Sequence, residues 1–429
     1  MRASIDRFGT TAYGCGDIVH VPVVRAGSWV FGTGLRASLV NGLIDPAVLK
    51  PGRPLDAPPK AQREAQKIFE RMAAQLTEAG SSTSRVARLD QYYPHPRAVD
   101  PYHVARKQAL AGQVAPSTSI IVSRLLNLDA AMDVQVIAAT SASGYAVQRV
   151  QAGLDAPQTS GYAPCVRVGD IVFVAGQLAR DAGGNIAAEA KPPAGQLWNG
   201  TRISLETGYL ISKRLIPALQ AAGSSLDLVL KAQVYLSHAE DLPAFWLQWT
   251  QAFGRRVPPT TVVPVQHPAF GTAEATIEVN LVAVHETARQ RLRDVQCDVE
   301  LIGEGMVPAC VFDGVVFVAG LMGINESGLA ESARVRATAP FYHDSARAQM
   351  ADILSKAKKI LGAAGTDLTN VVRALHFHSD LEDFHAIYME WKNELGALGV
   401  PFSAVEVAPE PFVPGARLIL DLWGYTPRP

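Results

Sequence analysis

Val166–Arg167–Val168–Gly169–Asp170–Ile171–Val172–Phe173–Val174–Ala175–Gly176 is the middle of three versions of one phrase. The first version is Val24–Arg25–Ala26–Gly27–Ser28–Trp29–Val30–Phe31–Gly32–Thr33–Gly34. The third, looser, is Val311–Phe312–Asp313–Gly314–Val315–Val316–Phe317–Val318–Ala319–Gly320. The closing glycines lie about a third of the 429-residue chain apart. Two more landmarks keep the same order and spacing. One is Ala79–Gly80–Ser81, Ala222–Gly223–Ser224 and Ala364–Gly365–Thr366. The other is a proline opening an apolar alternating stretch, at Pro116, Pro258 and Pro401. A repeat of this length is a whole small domain rather than a solenoid unit. The expectation is three tandem domains, at residues 1–148, 149–290 and 291–429.

Within the middle copy, Val166–Val174 is apolar and β-branched, with Gly169–Asp170 as its hairpin turn. Ile211, Leu215 and Leu219 then fall on one helical face, with Pro217 set to kink or end the helix. Leu228–Leu236 reads as a strand and Leu242–Phe253 as a second helix, its Phe245, Trp246 and Trp249 read mainly as packing. Thr261–Val265 and Thr276–Val284 read as closing strands. The unit is β-β-α-β-α-β-β. Corresponding helices use Ile68, Met72 and Leu76 in the first copy and Ile353, Ala357 and Leu361 in the third. The strands are apolar on both faces, so the face away from the helices also needs cover. Three such sheets closing against one another supply it.

The composition, 48% hydrophobic and 18% charged, is that of an ordinary globular protein. The net charge of −1 leaves no basic footprint for nucleic acid. Cys15, Cys165, Cys297 and Cys310 form no CxxC pair, so neither a zinc site nor a disulfide framework is implied. Sparse cysteines fit a reducing compartment. No signal-peptide stretch opens the chain and no long apolar run crosses it. The expectation is a soluble cytoplasmic protein with no cofactor, no metal, no nucleic-acid partner and no membrane partner. Of the histidines in the third copy, His343, His376, His378 and His385, a structural role is the main expectation.

The middle copy resembles the RidA/YjgF family of imine and enamine deaminases. The residues that carry the resemblance are Gly161–Tyr162, Val172–Phe173–Val174–Ala175–Gly176–Gln177, Leu219–Gln220–Ala221–Ala222–Gly223–Ser224–Ser225–Leu226, Val234–Tyr235–Leu236 and Thr276–Ile277–Glu278–Val279. The resemblance is looser in 295–429 and loosest in 10–145. It implies an α+β fold of three RidA-like (chorismate mutase-like) domains. They would form an intramolecular pseudo-trimer with a central β-barrel, outer helices and sites in the inter-domain clefts, further self-association being left open.

The family's deaminases carry an arginine just after the proline of the penultimate strand, gripping a substrate carboxylate through a bidentate pair. Here that place falls on Thr118, Thr260, and Phe402 or Ser403, and no copy keeps the arginine. Arg417 is the candidate replacement; its alternative is an ordinary salt-bridged arginine. The acid of the closing strand is kept as Glu278, stands as Asp133 in the first copy, and becomes Ile419 in the third. A carboxylate in an apolar strand is costly unless paired or used, and burial raises its pKa toward acid–base work. The family's pocket tyrosine falls on Tyr162, with His20 and Met306 in the same column. Gly176 and Gln177 would support developing negative charge through the backbone.

The functional expectation is a hydrolase of a C–N or C=N bond, in an imine, enamine or small nitrogen-containing ring. Glu278 would activate water, with Asp133 as a second candidate acid. Tyr162, Gly176, Gln177, Thr260, His20, Thr118 and Arg417 are the candidate substrate-binding residues. The alternatives are a chorismatase-like enzyme on a cyclic acid, with Arg255, Arg256 and Arg417 as its possible carboxylate partners, and a non-catalytic small-molecule-binding or chaperone-like protein.

Overall fold

A computed structural model of the chain describes residues 5–13, 16–39, 41–49, 54–154, 160–195, 201–338, 344–407 and 411–427. Cys15 and His343 lie outside them. Among the described residues the fold is mixed α+β, with seven α-helical segments and three large sheets of six, six and seven strands. Each sheet draws its main strands from a successive third of the chain. In the middle sheet the order is Val147–Arg149, Cys165–Val168, Ile171–Gln177, Ile277–Val284, Val229–Leu236, Thr260–Pro264. The first and third sheets repeat that order, and the third gains Arg124–Leu125 at its far edge.

The repeated phrase is the hairpin at the start of each sheet. Gly169 takes a φ of +61 at the turn between Cys165–Val168 and Ile171–Gln177, a backbone state glycine adopts freely. The edge strands Ile5–Phe8, Val147–Arg149 and Arg293–Val295 are additions the sequence reading missed, because they are short and carry polar residues.

The helices follow the expected apolar faces. Ile68, Met72 and Leu76 are buried on Lys60–Glu78, and Ile353, Ala357 and Leu361 on Ser345–Ala364. The middle helix runs Thr201–Tyr209, widens into a π-helical turn at Leu210–Leu215, and continues as Ile216–Ala221. Pro217, near the start of that last segment, has no N–H to donate into the preceding turn. The helix is therefore interrupted rather than ended there.

The strands bury both faces. One face packs on the helices of its own third. The other meets the neighbouring sheets in a core containing Trp29, Phe31, Phe173, Phe317 and Trp423. Single parallel bridges link the sheets pairwise: Val114 with Tyr162, Val257 with Met306, and Val400 with His20. No sheet closes on itself into a barrel among the described residues; three separate sheets meet instead.

Where they meet, buried charges alternate. Arg88 donates from Nε to Asp90 at 3.0 Å, and Arg373 donates from Nη2 to the same carboxylate at 3.0 Å. Arg373 also lies 3.8 Å from Asp421, which stands 3.2 Å from Lys231. Arg88, Lys231 and Arg373 occupy equivalent register positions, while the two acids come only from the first and last thirds.

Candidate active site

Glu278 stands opposite Tyr235 on its neighbouring strand, as Asp133 stands opposite Tyr92 and Ile419 opposite Phe377. Beside Glu278 lies a cavity of about 600 Å³ between the first and second sheets. His103, Ser117 and Ser119 line it from the first third of the chain, and Tyr162, Arg180 and Glu278 from the second.

Glu278 is 5% exposed, and no hydrogen bond or ion pair reaches its carboxyl group among the described residues. Burial pushes its pKa up to about 8, with the Arg180 cation opposing the rise and Asp90 adding to it. The carboxyl fits because residue 176 is glycine. A Cβ there would lie 1.8 Å from the Oε1 of Glu278. Gly176 also lines the cavity, at the irregularity between Val174 and Gln177 where the pairing with the acid's strand slips.

The opposite wall is polar. Ser117 and Ser119 each donate from Oγ to Gln91 Oε1 at 2.9 Å, and Ser117 accepts from Arg106 Nη1 at 2.8 Å. The hydroxyl oxygen of Ser119 thereby keeps acceptor capacity for a ligand. Burial, with Arg106 and Lys107 nearby, holds His103 down to about 3, so its imidazole is neutral at neutral pH. Burial also raises Tyr162, which remains a phenol.

Arg180 is the functional side chain the sequence reading missed. It is 7% exposed and brings the cation to this cavity. It stands four residues beyond the glycine of the repeated phrase, in Gly176–Gln177–Leu178–Ala179–Arg180, past an irregularity that strand periodicity does not register. The family's motif directed attention to the penultimate strand instead.

The remaining candidates disperse. Thr118 is buried behind the cavity wall and accepts from Asn280 Nδ2 at 3.1 Å, two residues along the strand from Glu278. Gln177 turns away from the cavity and accepts from Arg214 Nε at 3.2 Å. Thr260 lies at the seam of the second and third sheets, where its carbonyl accepts from the Gly320 amide at 3.1 Å and its hydroxyl from Trp249 at 3.2 Å.

The register also corrects the lost-arginine column. Thr118 pairs with Asp90 and Ser403 with Leu375, and the matching residue opposite Gln233 is Thr261, not Thr260. The second proline of Pro258–Pro259, rather than the first, therefore aligns with Pro116 and Pro401. Arg417 pairs with Asp383 and lines neither large cavity; Arg256 pairs with Asp294 at 2.8 Å, and Arg255 is exposed.

Asp133 and His20 belong to the seam of the first and third sheets. Burial raises Asp133 to about 6, against Arg36 at 3.4 Å and hydrogen bonds from Ser403 at 2.8 Å and Gln135 at 2.6 Å. Burial holds His20 down to about 3; its Nε2 bonds the Thr33 carbonyl at 2.9 Å and its ring packs on Phe402 at 4.7 Å. Phe402 occupies the register position of Ser117, so an aromatic ring fills the place that is hollow in the first seam. His376 accepts from Trp391 in the same aromatic block, which also holds His378 and Phe384. No group of three or more metal-ligating side chains occurs among the described residues.

With this geometry in hand, the sequence model of the family described as Endoribonuclease L-PSP matches residues 153–285 and 304–416, more than half of the chain. The chain belongs to that family, the RidA/YjgF family its repeated phrase resembles. A YjgF/YER057c/UK114-family protein from Mycobacterium tuberculosis is 24% identical, covering 32% of this chain and 99% of its own, with a TM-score of 0.25. A putative endoribonuclease from Thermotoga maritima is 21% identical over 31% of this chain and 97% of its own, with a TM-score of 0.25. A chorismatase is 12% identical over 80% of this chain and 93% of its own, with a TM-score of 0.47. Comparison with curated proteins gives no match. No helix among the described residues is long and apolar enough to cross a membrane.

Proposed function

We propose that the chain is a hydrolase of C–N or C=N bonds, acting on an imine or enamine in the cavity shared by the first and second sheets. The observation that carries this reading is Glu278, a buried carboxyl with no hydrogen-bond or ion-pair partner among the described residues, lining a cavity of about 600 Å³. With a pKa of about 8 the group is mostly protonated at neutral pH. This changes the first step from water activation to proton donation.

Protonated Glu278 gives its proton to the imine nitrogen. The resulting carboxylate takes a proton from water as the water oxygen bonds to the imine carbon. A second transfer protonates the nitrogen of the carbinolamine. Ammonia leaves as the C=O bond forms, and the hydroxyl proton returns to Glu278. One water is consumed, and one carbonyl compound and one ammonia are released. Arg180 and the Ser119 hydroxyl orient the substrate, and Tyr162 closes the wall.

We infer the wider architecture in the same spirit. Three domains, at 1–148, 149–290 and 291–429, close as a pseudo-trimer around the shared aromatic core. The three pairwise bridges and the repeated sheet order support this. A second reading, chorismatase-like chemistry on a cyclic acid, is favoured by Arg180, a buried cation in a cavity large enough for a ring.

Ammonia release from imines generated in situ tests the proposal. Glu278→Gln is expected to lower turnover by about 100-fold or more, the scale of general acid–base catalysis. Equal turnover in the variant would sink the mechanism. Saturable ligand binding with no turnover in either protein would favour the non-catalytic alternative.

A further inference from the structure

A second cavity, of about 150 Å³, lies in the first third of the chain, apart from the Glu278 site. The hairpin Thr11–Tyr13 with Ile18–His20, the strand Trp29–Leu35 and the helix Lys60–Glu78 bound it. Its charged walls are Arg36 and Arg71, and no carboxylate lines it among the described residues.

The two cations differ in what they still need. Arg71 is matched: it donates to the carbonyls of Arg36 and Ser38 at 3.1 and 2.8 Å and to Asp45 at 2.6 Å. Arg36 is 7% exposed and only partly matched. Its Nε donates to the Gly34 carbonyl at 3.2 Å, and its Nη1 to Asn127 at 2.7 Å. Its Nη2 is buried with no hydrogen-bond partner among the described residues. That nitrogen lies 3.4 Å from where a Cβ on Gly34 would stand, and the Nε2 of His20 lies 3.1 Å from the same point. The Phe402 carbonyl crowds that same point from the seam, and Gly34, His20 and Arg36 itself are all cavity walls.

A second orphan belongs to the same walls. The Oε1 of Gln75, another wall residue, is buried without a donor among the described residues. A buried guanidinium N–H lacking an acceptor and a buried amide oxygen lacking a donor each cost free energy that a ligand recovers. Together they ask for one molecule with a negative oxygen at one end and an O–H at the other.

We propose that this second cavity binds a small oxyanion that carries a hydroxyl group, inorganic phosphate or a 2-hydroxy carboxylate, with Arg36 Nη2 holding the negative oxygen and Gln75 Oε1 accepting from the hydroxyl. Arg36 also faces Asp133, which accepts from Ser403 of the last third, so occupancy braces the seam between the first and third sheets.

Thermal unfolding of the full chain, titrated at constant ionic strength, tests this without reference to catalysis. Phosphate or glycolate is expected to raise Tm saturably, as a ligand of the folded state does, and chloride is not. Acetate, which lacks the hydroxyl, is expected to bind about tenfold more weakly than glycolate. Gln75→Leu should erase that difference. A response to phosphate but not glycolate, or the reverse, identifies the source of the oxyanion. Arg36→Met should abolish the saturable rise. If that variant does not fold, Leu39→Trp, at an exposed wall position, should block the cavity while leaving the charges in place. A rise no greater than chloride gives, or one that survives Leu39→Trp, overturns the proposal.

Discussion

The carboxyl of Glu278 occupies space that any side chain at position 176 would fill. Gly176→Ala should therefore push the acid from its place. A fall in Tm and a loss of turnover of about tenfold or more are expected, since the catalytic group would be misplaced by more than 1 Å. Unfolding also reports on the acid directly. Its folded-state pKa of about 8 lies above the ordinary carboxylate value, so the folded protein holds this proton more tightly than the unfolded chain. The stability from this proton is complete at low pH and is lost as pH rises toward 8. Glu278→Gln does not titrate, so its stability relative to wild type should grow by about 1.4 kcal/mol per pH unit across that interval. Denaturant titrations on both sides of the interval measure it; a pH-independent difference would contradict the raised pKa. The acid itself was legible in the sequence as a carboxylate within an apolar strand. Arg180 was not, because the irregularity between Val174 and Gln177 re-aims the residues that follow it, and periodicity cannot register that.

Equivalent strands decide which seam is hollow. Ser117–Ile121 brings Ser117 and Ser119 to the first seam, where Phe402–Glu406 brings Phe402 and Ala404 to the seam of the third sheet with the first. The adjoining helix position repeats the contrast: His103 lines the open cavity, whereas Tyr388 packs against Phe402. Ser119→Phe should fill the first cavity as the aromatic block fills the other seam. Ligand binding and turnover are expected to be lost with Tm changed little, because Ser119 gives up one partly buried hydrogen bond. Calorimetric binding and a melting curve on the same variant separate the two effects. At this scale the sequence was highly readable. Hairpins, amphipathic helices and closing strands all announced themselves through turn glycines and apolar period. The one-residue shift at Pro258–Pro259 was not readable, since two adjacent prolines offer two registers and only strand pairing chooses between them.

Across the whole molecule, Arg88, Asp90, Arg373, Asp421 and Lys231 form an alternating chain of buried charges drawn from all three sheets. Asp90→Asn leaves Arg88 and Arg373 without their shared counterion. Removing one partner of a buried pair costs about 3–5 kcal/mol, and chemical denaturation should show a loss of that size. A loss below about 1 kcal/mol would mean that these charges are solvated rather than paired. The repeated phrase made three sheets predictable. It did not make three separate sheets distinguishable from one closed barrel, because that depends on pairing between strand edges far apart in the chain. The same divergence that leaves the acids to two thirds of the chain leaves, between the first and second sheets, a hollow seam with a buried carboxyl whose pKa is raised. The pH dependence of imine hydrolysis, with the uncatalysed rate subtracted, tests this account most directly. A rate that is level near neutrality, falls above a pKa of about 8, and is lost in Glu278→Gln is the predicted result. A rate that rises through that pH, or that Glu278→Gln leaves unchanged, would contradict it.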